Sequence, residues 1–190
     1  MKVRIPELVA HRGYALHYPE NTLIGIEAAI RVGACFIEVD VQLTADKVPV
    51  LFHDRNMDRL CRVPGAIHDF TRAQLRDFNV LEFDRFGYKF AHNPITTLAE
   101  LGALLTRYPQ VSAFIEIKRV AVEHFGAQTV LDNVLHSLQR PRLYRYGGRS
   151  WYADRGGFSQ GEGRKLRTRT RRTEHSTGRC GMRISVRLYS

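Results

Sequence analysis

The sequence predicts an α/β fold built on a largely parallel sheet. Three observations carry this. Short apolar runs alternate with segments whose apolar residues recur at helical spacing. One run, Phe36-Ile37-Glu38-Val39-Asp40-Val41, alternates as a strand does, with Glu38 and Asp40 on one face and Ile37, Val39 and Val41 on the other. Polar residues gather at or near strand ends: His11, Arg12, Glu38, Asp40, His53, Glu116 and Lys118. Strands that point their chemistry at one mouth are the habit of parallel α/β sheets.

Each element follows from a local pattern. Leu8-Val9-Ala10 is a first strand ending in His11-Arg12-Gly13. Pro19-Glu20-Asn21-Thr22 starts a helix, with Asn21 or Thr22 as N-cap. Leu23, Ile26, Ala29 and Ile30 give that helix one apolar face, and Gly33 stops it. Cys35 to Leu43 is the second strand. Asp46-Lys47 turns the chain into the third, Val48 to Phe52, ending at His53-Asp54. Thr71 to Phe78 reads as a short helix, and Leu81 to Pro94 as an aromatic loop. Thr97 caps a helix carrying Leu98, Leu101, Leu104 and Leu105. Ser112 to Lys118 is the fourth strand, with Glu116 and Lys118 on one face; Val122 to Leu138 is the next helix.

Composition narrows the class. The chain has 190 residues, enough for one real core but fewer than the ~250 of a complete β/α barrel. No run of about 18 apolar residues exists, so no transmembrane segment is expected, and Met1 to Pro6 lacks the apolar stretch of a secretory signal. Cys35, Cys61 and Cys180 fit neither a disulfide framework nor a zinc site. They read as free buried thiols, and the chain as cytoplasmic.

Charge on a strand as apolar as 36–41 needs compensation. Two readings of Glu38 and Asp40 are open: an edge strand with one wet face, or a site for a hard divalent cation held by carboxylate oxygens. Of the eight histidines, His11 and His53 stand at strand ends. His17, His68, His92, His124, His136 and His175 read as surface or loop residues, with His17 and His92 also placed to line the mouth. Glu20 and Asn21 either shape the site or only start a helix, and Asp54 either orients His53 or caps a turn. Phe83, Phe86, Tyr88 and Phe90 either border the substrate pocket or, as the favoured reading, pack under a long loop.

Taken together, His11-Arg12-Gly13, Pro19-Glu20-Asn21-Thr22, Glu38-Val39-Asp40-Val41, His53-Asp54, Thr97-Leu98-Ala99-Glu100-Leu101 and Glu116-Ile117-Lys118 resemble the glycerophosphodiester phosphodiesterase family in order and approximate spacing. The resemblance covers about residues 7–120 and weakens to about 138. It implies a TIM (β/α) barrel that hydrolyses glycerophosphodiesters to an alcohol and sn-glycerol 3-phosphate, in lipid and glycerol metabolism. It implies one divalent cation, Mg2+ or Ca2+, on Glu38, Asp40 and Glu116. His11 and His53 resemble the catalytic acid and base, and Arg12 and Lys118 the phosphate-facing cations. The expected partner is a small-molecule glycerophosphodiester, with no specific nucleic acid. A phospholipase-like phosphodiesterase on the same barrel is the alternative within this class.

The end of the chain departs from the pattern. Residues 1–140 carry 16 basic and 16 acidic residues, whereas 141–190 carry 13 and 3, so the whole net charge of +10 lies there. Eight of the fifteen glycines fall in the same stretch, and only Ile184 to Tyr189 alternates like a strand. The expectation is therefore the N-terminal half of a barrel over 1–140, followed by a basic, mostly irregular tail over 141–190. That tail is either disordered or the product of a frame change near residue 140. As an appended segment it would bind anions such as nucleic acid or a membrane surface, with the half-barrel an inactive remnant. A half-barrel would also leave an open strand edge and an apolar lumen.

Overall fold

A computed structural model describes residues 8–139 and 184–188 of the chain. Its frame is a five-stranded sheet. The strands are β1 (Val9–His11), β2 (Phe36–Leu43), β3 (Pro49–Leu51), β4 (Ser112–Ile117) and β5 (Ile184–Leu188). β1, β2, β4 and β5 lie side by side in that order, all parallel. Register sets the site: His11 lies beside Glu38, and Asp40 beside Glu116.

β3 is the exception, running antiparallel to β2 with Val41 opposite Leu51. The carbonyls of Glu38 and Asp40 accept from Arg12 N (2.9 Å) and Phe52 N (3.0 Å). In a strand these two carbonyls point to the same edge, so β3 continues the edge that β1 begins. β2 outruns its neighbours, and its hairpin folds back to bring His53 to the level of Asp40. His53 therefore does not arrive at the end of a parallel strand.

α1 (Leu23–Arg31) is capped by Thr22, whose hydroxyl accepts from Gly25 N. It buries Ile26, Ala29 and Ile30 against the sheet. α4 (Leu98–Leu105) opens with a reciprocal cap: Thr97 Oγ1 accepts from Glu100 N, and Glu100 Oε2 accepts from Thr97 N. Between them lie the short α2 (Asp58–Cys61) and α3 (Phe83–Phe86), the latter within the stretch expected to be loop. The helix expected over 71–78 is a 3₁₀ turn at Gln74–Asp77. The single helix expected over 122–138 is two, α5 (Arg119–Phe125) and α6 (Ala127–Gln139). They break at Gly126, whose φ of +79° leaves the helical region.

Ile37, Val39 and Val41 of β2 and Ile115 and Ile117 of β4 pack with α1, α4 and α6 in the main core. A second cluster of Val50, Phe52, Met57, Leu60, Cys61, Ile67, Leu75, Val80 and Ile95 sits under the long connection from β3 to α4.

Most of 141–190 lies outside the described residues, as do His175 and Cys180. Its one alternating stretch does form a strand: β5 pairs with β4, and Val186 packs against the main core. The outer edge of β4 is therefore paired. Of the remaining cysteines, Cys61 is buried, and burial pushes its thiol up to about 12. Cys35 is exposed, contrary to expectation, because it precedes the first paired residue of β2. Among the described residues, no helix is long and apolar enough to cross a membrane.

Candidate active site

Asp40 is the centre of the site. It is 0% exposed on a central strand, flanked by β1 and β3 on one edge and β4 on the other. The wet-edge reading is thereby overturned. A buried carboxylate must be met by donors or cations, and Asp40 has several. Arg12 Nε lies 2.9 Å from Oδ2, Lys118 Nζ 3.2 Å from Oδ1, and Asn21 Nδ2 donates to Oδ2 at 3.0 Å. Asp40 N donates back to Asn21 Oδ1 at 3.1 Å. Asn21 is thus bound twice and shapes the site.

Those donors reach Asp40 because the backbone turns sharply at two residues. Arg12 and Asn21 both have left-handed φ, 57° and 56°. Such a conformation strains an arginine by about 1–2 kcal/mol and is easier for asparagine. Asn21 N donates to Arg12 O, joining the two turns. Arg12 N in turn faces both the carbonyl of Glu38 (2.9 Å) and its carboxylate Oε2 (3.3 Å).

Glu38, Asp40 and Glu116 each offer a carboxylate oxygen within 4.8 Å of the others. Strand register accounts for this: Glu38 and Asp40 share a face of β2, and Glu116 stands opposite Asp40 on β4. Glu38 Oε1 is buried without a hydrogen-bond partner among the described residues. Burial first, and then the charges of Asp40 and Glu116, push the Glu38 carboxyl up to about 7. Three crowded, underneutralised carboxylates are what a hard divalent cation needs. The residues present therefore fit such an ion, with Glu38, Asp40 and Glu116 as its holders. A cavity of about 210 Å3, lined by Val9, Glu38, Phe114, Ile115 and Glu116, opens beside them.

The raised Glu38 sets a pH dependence. Its ordinary value is about 4.3, so without a cation the folded chain holds a proton on Glu38 that the unfolded chain has lost. Stability from this residue is full below about 4.3 and falls as pH rises through about 7. Chelated protein is expected to lose on the order of 2 kcal/mol between pH 5 and 8. Glu38→Gln should flatten the slope. Thermal melts of both proteins in EDTA across that range check this, and parallel curves would refute it.

His11 and Lys118 complete this half of the site. His11 Nε2 lies 3.6 Å from Glu38 Oε2, with the ring largely exposed at the mouth. Lys118 Nζ lies 2.8 Å from Glu116 Oε1. Burial opposes the Lys118 charge, but Glu116 and Asp40 outweigh it and hold the ammonium above its ordinary value.

His53 belongs to a second group. Its Nδ1 lies 2.8 Å from Asp54 Oδ1, so Asp54 orients the ring. Glu20, His53 and Asp54 come within 4.8 Å of one another. Their carboxylates are already neutralised by arginines. Arg12 bonds Glu20 at 3.1 Å, and Arg59 bonds both Glu20 and Asp54 at 2.9 Å or less. Arg12 joins the two halves, with one hand on Glu20 and the other on Asp40.

Arg59 and Glu82 were not foreseeable. Arg59 is one of several arginines after His53-Asp54, and Glu82 comes from a distant loop to accept from Glu20 N at 3.3 Å. His17, His92, His124 and His136 are exposed, as expected. His68 is half-buried and stacks on His124 at 4.1 Å, away from the carboxylates. Phe90 is buried and Tyr88 exposed in the aromatic segment.

Residues 11–167 match the glycerophosphoryl diester phosphodiesterase family. The chain is 35% identical over 136 residues to glycerophosphodiester phosphodiesterase 1 of Bos taurus, covering 72% of this chain and 39% of that protein. It is 41% identical over 133 residues to glycerophosphodiester phosphodiesterase of Bacillus altitudinis, covering 70% and 54%. Among solved structures, it is similar to an Oleispira antarctica phosphodiesterase in complex with the product sn-glycerol-3-phosphate. That likeness has a TM-score of 0.63 at 27% identity and covers 71% of this chain and 52% of the other. The chain spans about half the length of the relatives it matches.

Proposed function

The chain belongs to the glycerophosphoryl diester phosphodiesterase family, and from that premise we propose that it hydrolyses glycerophosphodiesters to an alcohol and sn-glycerol 3-phosphate. The carrying observation is the convergence of Glu38, Asp40 and Glu116 with His11, Arg12 and Lys118 at one end of the sheet. The family's fold is a TIM barrel, and four adjacent parallel strands suit one.

A phosphodiester is anionic and resists nucleophiles. Its transition state gathers charge on the phosphoryl oxygens. When bound by Glu38, Asp40 and Glu116, Mg2+ or Ca2+ supplies positive charge to those oxygens. Arg12 and Lys118 stand beside the same carboxylates and are the residues to face the phosphate. Hydrolysis forms one P–O bond and breaks another. One histidine takes the proton from the attacking hydroxyl and the other gives one to the departing alkoxide. The same pair serves whether water or the neighbouring glycerol hydroxyl attacks. Asp54 accepts from His53 Nδ1, which leaves Nε2 for the reactants.

We place the reaction in lipid and glycerol metabolism in the cytoplasm. The free thiols of Cys35 and Cys61 suit a reducing compartment. Release of sn-glycerol 3-phosphate from glycerophosphocholine, with and without Mg2+ or Ca2+, tests the activity. His53→Ala is expected to lower the rate on the order of 10²–10⁴-fold. Equal rates for the two proteins would remove His53 from its role.

A further inference from the structure

We infer that Arg59 is a positioning residue for the proposed reaction, its guanidinium clamping Asp54 and Glu20 together so that His53 is held in one orientation against the Arg12 side of the site. The inference rests on the phosphodiesterase reading.

The guanidinium grips two carboxylates at once. Nε and Nη2 donate to Asp54 Oδ2 and Oδ1, at 2.6 and 2.9 Å. Nη2 and Nη1 donate to Glu20 Oε1 and Oε2, at 2.9 and 3.3 Å. Glu82 Oε1 lies 3.9 Å from Nη1 and is itself paired with Arg85. Only a planar fork can hold two carboxylates this way; an ammonium has the charge without the geometry. The backbone beneath is anchored, because Leu60 and Cys61 next to Arg59 are buried in the second core cluster.

The clamp bears on His53 through one atom. Asp54 Oδ1 meets both Arg59 Nη2 and His53 Nδ1. Burial would raise the Asp54 carboxyl. The hydrogen bonds from Arg59 and then His53 more than offset this and hold it below its ordinary value. An ionised Asp54 fixes His53 with its proton on Nδ1. On the other side, Glu20 accepts from Arg12 Nη1, and Arg12 Nε is ion-paired with Asp40. A continuous run of charges thus leads from His53 through Asp54, Arg59, Glu20 and Arg12 to Asp40. The neighbouring cations in sequence face elsewhere: Arg55 is turned to Glu123 at 2.7 Å and Arg62 to Asp84 at 2.9 Å.

Removing Arg59 leaves Asp54 and Glu20 without their shared cation. Asp54 then loses the partner that holds its Oδ1 against His53 Nδ1, so the ring is no longer fixed in one tautomer. The test compares the wild-type chain, Arg59→Met and Arg59→Lys. Nitrogen-detected NMR follows the His53 ring, and glycerophosphocholine turnover is measured with saturating divalent cation. Arg59→Met is expected to bring the Nε2–H tautomer of His53 into the spectrum, and to lower kcat about 10- to 100-fold with KM nearly unchanged. Arg59→Lys keeps the charge without the fork and should recover only part of the wild-type tautomer preference and of kcat. A His53 tautomer unmoved in both variants would overturn the proposal, whatever the rates. So would a kcat loss that follows melting temperature alone. If wild type does not turn over the substrate but the His53 tautomer still changes in Arg59→Met, the clamp stands and the phosphodiesterase reading falls.

Discussion

Asp40→Ala is expected to remove cation binding and turnover together and to destabilise the fold by about 3–5 kcal/mol. Asp40 is fully buried and is the meeting point of Arg12, Lys118 and Asn21. Without it, two cations stand side by side next to a core strand with one counter-charge fewer. Removing one member of a buried charge network is far more damaging than its net stabilisation suggests, because the partners remain desolvated. Asp40→Asn keeps the volume and restores none of the charge, so it should lose most of the same stability. Titration calorimetry with Mg2+ and Ca2+ and chemical denaturation check the two effects. An Asp40→Ala protein that melts like wild type and still binds a cation would show that Asp40 is not the centre of the site.

Gly13→Ala is expected to be nearly as harmful, although Gly13 carries no chemistry. A Cβ at residue 13 would lie 2.8 Å from the backbone of both Gly25 and Ile26, in a turn whose φ is +87°. The obstacle is helix backbone, so no side chain can swing aside. Left-handed strain and the clash together should cost on the order of 3 kcal/mol. The effect reaches the site by a short path. Tyr14 N donates to Gly25 O, fixing the loop after Arg12 on the first turn of α1. If α1 is pushed away, Arg12 and Asn21 lose the turns that aim them at Asp40. Reduced stability together with weaker cation affinity is the expected outcome, and a purely thermal defect with normal cation binding would contradict it. The glycine in His11-Arg12-Gly13 is thus explained by helix packing.

Much of this architecture could be read from residue patterns. The alternation in 36–41 placed Glu38 and Asp40 on one face, and the repeat of that pattern at 112–118 placed Glu116 and Lys118 to match. Thr97 announced its helix as a cap, and of Asn21 and Thr22, the two candidates for the first helix, the structure uses Thr22. The errors have physical causes. Gly126 lies in a sequence whose apolar spacing continues across it, so only its φ reveals the break between α5 and α6. The 3₁₀ turn at 74–77 has the apolar spacing of a helix but is too short to sustain one. Nothing in the composition of 141–190 foretold that β5 would pair with β4, because strand pairing depends on which edge is open.

Local periodicity, caps and spacing determined the parallel α/β class, most element positions and the identity of the residues that face the mouth, because each depends on neighbours within a few positions. The tertiary structure decided that Asp40 is buried and does not lie on a wet edge. Whether a carboxylate is wet or buried depends on which strands flank it, and β1, β3 and β4 come from three separate parts of the chain. It also decided that His53 is held through Asp54, Arg59 and Glu20. Those contacts join residues up to 39 positions apart, and a charge pair at that range leaves no trace in local sequence.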